Sequence, residues 1–248
     1  MKPIKSLLQR ALPPSAAVRL RALDYRLRSA QEHRLLSRLC DRKKASVDVG
    51  ANLGTLTCWL ARYSSHVYAY EPNPELAKRL RAAFRDEDVT VIQAALSDVA
   101  GTAVLKVPHF HGVEMHSLGS IAQDFVDADH VREFSVPLRR LDDEDLPDIG
   151  FVKVDAEQNE ERVLRAAMGL IERCRPHMLL EVTPKLYAKS LLEFFADFFA
   201  LGYRGFFLYD GELLKIEQYC MEVHNDSRNY GVPGKYMTNV VLTMRGLI

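Results

Sequence analysis

The stretch Val47-Asp48-Val49-Gly50-Ala51-Asn52-Leu53-Gly54, followed by Tyr68-Ala69-Tyr70-Glu71-Pro72-Asn73, constrains this chain more than any other feature. A β-branched run enters a glycine turn, and Glu71 ends the next apolar run. That layout suits two neighbouring parallel strands with a nucleoside lying across their ends. Glycines let the backbone approach a ligand and turn tightly into a helix, whose N-terminus favours a carboxylate or phosphate. Glu71 offers acceptor oxygens for a ribose diol. The turn reads G-x-N-x-G, not G-x-G-x-x-G, so Asn52 stands where a dinucleotide's pyrophosphate needs glycine. The expected ligand is therefore S-adenosylmethionine rather than NAD.

From Ala45 onward the pattern alternates strand and helix, which implies a parallel sheet with right-handed crossovers. Strands are expected at 46–49, 66–70 and 89–93, with helices near 54–63 and 74–85, the latter opened by Pro74. The rhythm then breaks over 97–138, which reads as extended runs at 102–107 and 134–138 around a loop rich in His, Gly and Ser. It resumes with strand 151–155, a helix near 159–170, strand 177–182 and a helix over 186–201. That last helix has an apolar face of Leu191, Leu192, Phe194, Phe195, Phe198 and Phe199. Two antiparallel strands, near 205–209 and 239–244, close the chain, with the hairpin-like 211–217 between them. The expectation is an α/β, Rossmann-like fold of the class I methyltransferase plan. Its seven-stranded sheet is mostly parallel with a C-terminal antiparallel pair.

Residues 1–44 form a basic helical extension ahead of a methyltransferase domain over 45–248. Twelve Lys and Arg against three acids give the extension +9, which leaves −9 on the rest of a chain whose formal net charge is zero. An acidic body argues against a long nucleic-acid footprint. Residues 15–40 read as helical, with Leu20, Leu23 and Leu27 on one face and Leu35, Leu36 and Leu39 continuing the stripe. A cap on the domain is the plain reading. A membrane-surface helix and a substrate or dimer contact are the sharper ones.

Four cysteines, at 40, 58, 174 and 220, show no C-x-x-C spacing and imply neither a disulfide framework nor a zinc site, so a reducing cytoplasm is expected. No apolar run approaches the roughly 20 residues that span a bilayer. Gln9, Arg10, Pro13 and Pro14 interrupt any secretory-signal pattern, although an Arg-rich, acid-poor leader also resembles an organelle transit peptide in composition.

Several residues are candidates for chemistry. Asp48 closes the first strand and suits the cofactor's ammonium group or the loop amides. Gly50 and Gly54 set the turn, Asn52 and Thr55 offer polar contacts, and Asn73 assists Glu71. Ala95, Leu96 and Ser97, beyond strand three, are placed to meet an adenine edge. Asp155 and Glu157 reach the C-terminal end of strand four, where ligands bind in open α/β sheets. A hydroxyl is a poor nucleophile towards a methyl sulfonium, so a positioned base is needed. Asp155 or Glu157 fits that role with Glu181 in support, or else Asp155 holds the turn and Glu157 caps the next helix. His109, His111 and His116, in H-x-H-x4-H with Glu114 among them, read first as a polar loop over the acceptor site and second as metal ligands, so no metal is assigned. Tyr187, Tyr209, His224, Tyr230 and Tyr236 are further candidates to line an acceptor pocket.

With these residues in place, the chain resembles the FkbM-type methyltransferases. The likeness rests on the 47–54 turn, Tyr70-Glu71-Pro72-Asn73-Pro74, Ala94-Ala95-Leu96-Ser97-Asp98 and Ser117-Leu118. It continues through Val136-Pro137-Leu138-Arg139 with Leu141-Asp142-Asp143, Lys153-Val154-Asp155-Ala156-Glu157 and Leu180-Glu181-Val182. The blocks cover about residues 45–183. The resemblance implies S-adenosylmethionine-dependent O-methylation of a hydroxyl on a sugar or small metabolite. One departure stands out: Gln158 occupies the glycine of the family's K-x-D-x-E-G. The absence of D-P-P-Y or N-P-P-Y at strand four, and of a P-C nucleophile, argues against nucleic-acid methylation. Two alternatives are an inactive cofactor-binding scaffold, motivated by Gln158, and an NAD-dependent oxidoreductase, which Asn52 disfavours.

Overall fold

The computed structural model describes residues 12–232 and 234–245. The first eleven residues of the basic extension therefore lie outside the described residues. Helices α1 (Pro14–Arg28) and α2 (Ala30–Leu39) lead into β1 (Ala45–Val49), α3 (Thr55–Tyr63), β2 (Val67–Tyr70), α4 (Pro74–Ala83) and β3 (Val89–Ile92). An excursion follows: β4 (Ala95–Leu96), β5 (Gly101–Phe110), β6 (Val113–Glu114) and β7 (His130–Arg139). The alternation returns with β8 (Ile149–Val154), α5 (Glu160–Arg165), α6 (Met168–Cys174) and β9 (His177–Glu181). The chain continues through α7 (Leu191–Phe194), α8 (Ala196–Ala200), β10 (Arg204–Tyr209), β11 (Glu212–Lys215), α9 (Met221–His224) and β12 (Asn239–Thr243).

The main sheet runs β11-β10-β12-β9-β8-β1-β2-β3. Strands β9, β8, β1, β2 and β3 pair in parallel, and β12, β10 and β11 are antiparallel. This is the expected seven-stranded plan with an eighth strand, β11, added by the hairpin over 211–217. The chain leaves β1 towards β2 and β3, then returns on the other side of β1 to build β8. Strand order thus reverses between β1 and β8, where an open α/β sheet holds its ligand.

Both faces of the sheet are covered, so its central strands read as continuous apolar runs. One face packs Val163, Leu164, Leu170, Ile171, Phe194, Phe195 and Phe198 against Val47, Val152 and Val154. The other packs Val18, Ala22, Leu36, Leu39, Trp59, Leu60, Leu80 and Phe84 against Phe151 and Leu179. The extension therefore shares a core with α3 and α4. Trp59 Nε1 donates to the Ala22 carbonyl at 3.0 Å, and Asn239 Nδ2 donates to Glu32 at 2.8 Å.

Three sequence expectations are corrected. The extended runs expected within 97–138 are longer than the sequence suggested: β5 and β7 pair nine residues each in an antiparallel ladder of a separate four-stranded sheet, β4-β7-β5-β6. The expected helices over 159–170 and 186–201 are each broken in two, where Ala166, Ala167 and Phe195 leave helical backbone angles. The stripe Leu20, Leu23 and Leu27 faces solvent, while Ala17, Val18 and Ala22 make the buried side of α1. Leu35, Leu36 and Leu39 are buried as expected.

Candidate functional site

The site is assembled where β1, β2 and β8 end side by side. Gly50 follows β1 with φ +73°, and a Cβ there would lie 1.9 Å from the Asp155 carbonyl oxygen. Only glycine allows the β1 turn and the end of β8 to approach so closely. Asn52 also has positive φ, and its N–H donates to Glu71 Oε2 at 2.7 Å. The Asn73 N–H donates to Glu71 Oε1 at 2.8 Å. The carboxylate of Glu71 is thus held at the end of β2 with one lone pair on each oxygen still open. Burial pushes this carboxyl up to about 7. The Asn73 side chain caps α4, accepting from Glu75 N and Leu76 N.

A cavity opens over these groups. It is lined by Gly50, Asn52, Glu71 and Asn73 from the first two strand ends, Ala95 and Leu96 from β4, and Asp155, Glu157 and Asn159 from beyond β8. Leu105 of β5, together with His116, Ser117 and Ile121, closes it from the small sheet. Eight of the residues expected from sequence therefore meet in one cavity. Glu181 lines a second cavity beside it, and four others do not reach its wall. Asp48 is fully buried beneath the turn: its Oδ2 accepts from Thr57 Oγ1 at 2.6 Å, and Oδ1 lies 3.8 Å from Lys153 Nζ. Burial pushes the Asp48 carboxyl up, against the pull of Lys153. Gly54, φ +77°, caps α3 in the left-handed region, and Thr55 begins that helix. Ser97 is buried, with its N–H on the Arg139 carbonyl.

Lys153 organises the floor. Buried on β8, its Nζ donates to the carbonyls of Val49 at 3.2 Å and Gly50 at 3.0 Å, and to Asp155 Oδ2 at 3.0 Å. Burial works to lower its pKa, but the carboxylates of Asp155 and Asp48 outweigh it and the net direction is up. The lysine therefore stays charged and clamps the two strand ends together.

A second cavity shares Asp155 and Glu157 with the first and adds Gln158, Glu160, Glu181, Thr183 and Tyr187. Glu157 is pushed up to about 8, by burial first and then by Asp155 and Glu181. Glu181 is shifted the same way, by its crowded surroundings and by Asp155. Glu160, rather than Glu157, holds the start of α5: its Oε1 accepts from the N–H groups of Ala156 and Gln158, and Oε2 from the Tyr187 hydroxyl at 2.6 Å. That leaves the Glu157 carboxyl free of capping duty and facing both cavities.

Two residues here escaped the sequence reading, Asn159 and Glu160. Asn159 Nδ2 donates to the Leu96 carbonyl at 2.8 Å, which fixes the amide's orientation. Its Oδ1 is buried without a partner and the residue lines the first cavity. An Asn-Glu pair before a helix signals an N-terminus, and that signal pointed to capping rather than to a ligand. A buried acceptor awaiting a donor, beside Ala95, Leu96 and the ribose-ready Glu71, fits an adenine amino group. These acceptors match the amino and hydroxyl donors of an adenosyl ligand.

The histidine cluster divides. His111 is exposed at a turn with φ +51°, whereas His109 and His116 each lie 3.5 Å from Glu114. Glu75, Glu114 and His116 have ligand atoms within 4.8 Å of one another. The guanidinium of Arg132 lies among them, 2.6 Å from Glu75 and 3.5 Å from Glu114, and supplies positive charge there. Of the aromatic candidates, Tyr187 lines the second cavity, and Tyr209, Tyr230 and Tyr236 line a wider groove with Arg28 and Glu32. His224 is buried against Phe207 and Tyr209 and lines none of these spaces.

Comparison with known proteins identifies the family and the fold. Residues 48–206 match the methyltransferase FkbM domain. Among solved structures, methyltransferase FkbM from Methylobacillus flagellatus superposes with a TM-score of 0.54 at 15% identity, over 97% of this chain and 58% of the other. The chain thus spans little more than half the length of that protein, and the likeness is one of fold. An rRNA methylase from Streptococcus thermophilus superposes with a TM-score of 0.48 at 12% identity, over 87% and 96% of the two chains. No curated protein matches the chain in sequence.

Proposed function

The chain belongs to the FkbM methyltransferase family, and from that premise we propose that it methylates a hydroxyl of a sugar or other small metabolite, using S-adenosylmethionine. The observation that carries the reading is the junction of the two cavities at Asp155 and Glu157. One cavity has the donor and acceptor groups for an adenosyl ligand, and the other offers carboxyl groups to an acceptor.

In this reading Glu71 takes the ribose hydroxyls, Asn159 Oδ1 with Ala95 and Leu96 takes the adenine, and Asn52 and Asp155 face the amino-acid end. Asp48, buried under the turn, acts through Lys153 and Thr57. When bound, S-adenosylmethionine supplies an electrophilic methyl group. Glu157 receives the proton that the acceptor hydroxyl loses. Glu181 raises the proton affinity of Glu157, and Lys153 keeps Asp155 and the β1 turn in place. Walls contributed by the small sheet, Leu105 and Ile121 among them, restrict water. Positioning of this kind supplies up to about 7–11 kcal/mol in favourable reactions. The acidic body disfavours nucleic acid as acceptor, and four free cysteines suit a reducing cytoplasm.

Calorimetric titration with S-adenosylmethionine and S-adenosylhomocysteine tests the first half of the reading. Binding is expected, and Glu71→Ala should weaken it by about 100-fold, since charge-assisted bonds to a diol are lost. Labelled-methyl transfer to a panel of hydroxylated sugars and metabolites tests the second half. No binding would remove the methyltransferase reading, and binding without transfer would favour a scaffold.

A further inference from the structure

The outward face of α1 is a feature that the catalytic reading leaves unused. Leu20, Leu23 and Leu27 lie on one stripe of this helix and are 44%, 49% and 75% exposed. The opposite side, Ala17, Val18 and Ala22, is buried against α3 and α4. With the Ala22 carbonyl bonded to Trp59, α1 cannot roll to hide the leucines. Three large apolar side chains are thus presented to solvent by a helix that is rigidly held.

Charge surrounds the stripe. Arg19 and Arg26 flank one side and Arg28 the other, and all three are exposed. The pairs Arg19–Glu87 and Arg28–Asp24 are surface pairs, which exchange partners at small cost. Arg38, Arg42 and Lys43 are exposed nearby, and the sequence ahead of α1 adds Lys2, Lys5 and Arg10 beside Ile4, Leu7 and Leu8. Twelve cationic residues against three acids make residues 1–44 strongly positive, with the compensating negative charge on the rest of the chain. An apolar stripe with basic flanks and few acids is the pattern of a helix lying in a membrane interface. Anionic headgroups attract such flanks, whereas a second copy docking stripe to stripe would bring like charges together.

We propose that α1 docks this protein on an anionic lipid surface. The leucines enter the boundary between headgroups and acyl chains, and the arginines, their stems lying along it, hold lipid phosphates. The groove lined by Arg28, Ser29, Glu32, Tyr209 and Tyr236 begins where this helix ends.

The test is flotation of the full chain with vesicles of phosphatidylglycerol and, separately, of phosphatidylcholine. The wild-type protein should float with the first, release as salt is raised, and stay behind with the second. The triple variant L20S/L23S/L27S should lose at least about tenfold in partition, because the apolar contribution scales with the area buried. Its melting temperature should shift little, since the leucines lie outside the buried core. R19Q/R28Q, a second variant that leaves the core alone, should bind more weakly and with less salt dependence. Flotation of L20S/L23S/L27S equal to wild type overturns the proposal, as does failure of the wild-type protein to float with phosphatidylglycerol at low salt. A dimer in light scattering that L20S/L23S/L27S converts to monomer, with no flotation, also overturns it and assigns the stripe to a second copy.

Discussion

Glu157 combines a burial-raised carboxyl with a position on both cavities, whereas its neighbour Asp155 is held by Lys153 at 3.0 Å. A group titrating near 8 is mostly protonated at neutral pH and becomes a base as the pH rises. Turnover should therefore climb through about pH 8. Glu157→Gln should lower kcat by about 10²–10⁴ with S-adenosylhomocysteine affinity unchanged. The same proton affects stability. The folded protein holds it more tightly than the unfolded chain, so stability falls as pH rises from about 4.5 to about 8. Melting curves of the ligand-free protein should show that slope, and Glu157→Gln should make it shallower, with Glu71 and Glu181 supplying the remainder. A variant that leaves both profiles unmoved would take Glu157 out of the reaction. The placement of Glu71 and the Gly50 turn at strand ends was legible in the sequence because spacing alone puts them there. Asn159 was not legible, since its partner Leu96 is remote in sequence and its orphaned oxygen is a product of burial.

The connection between β8 and α5 carries Gln158, where the K-x-D-x-E-G pattern of the resemblance has glycine. Glu157 and Gln158 both have positive φ, +48° and +75°, where non-glycine residues cost of order 1–3 kcal/mol each. Three contacts hold them there: Glu160 accepts from Ala156 N and Gln158 N, and the Ser120 hydroxyl donates to the Glu157 carbonyl at 2.6 Å. Restoring the family glycine with Gln158→Gly should raise stability by about 1 kcal/mol, the strain relieved being partly offset by glycine's extra freedom when unfolded. Urea denaturation measures this, and a loss of stability would mean that the Gln158 side chain contributes more than its backbone costs. Other elements show why local pattern has limits. The ladder of β5 and β7 pairs Gly101 with Leu138 and His109 with His130. Partners so far apart leave only weak local traces, so the histidine-rich segment reads as loop until its partner is known. The stripe over 186–201 was read correctly as core at Leu191, Phe194, Phe195 and Phe198 but not at Leu192, which is exposed, and the helix carrying it is broken between α7 and α8.

At the scale of the molecule, the basic extension is a structural part of the sheet's helical layer. Trp59 joins it to α3: its indole N–H reaches Ala22, and its ring meets His33 edge-on at 4.2 Å. Trp59→Ala should cost about 3–5 kcal/mol, as large-to-small core changes do. Limited proteolysis should then cut within α1 or α2 before the body, whereas a uniform loss of protection would mean that the two parts unfold as one. The sequence by itself determined the strand-helix alternation, the parallel sheet with its antiparallel end, the glycine turn after β1 and the carboxylate at the end of β2. Each depends on periodicity, glycine conformation or residue spacing, all of which act over short stretches of chain. The tertiary structure decided which face of α1 is buried, that Lys153 ties β1 to β8, that Asp48 lies beneath the cavity, and that Glu157 rather than Glu160 faces it. Those outcomes depend on desolvation and contact between distant segments, and a local pattern carries neither.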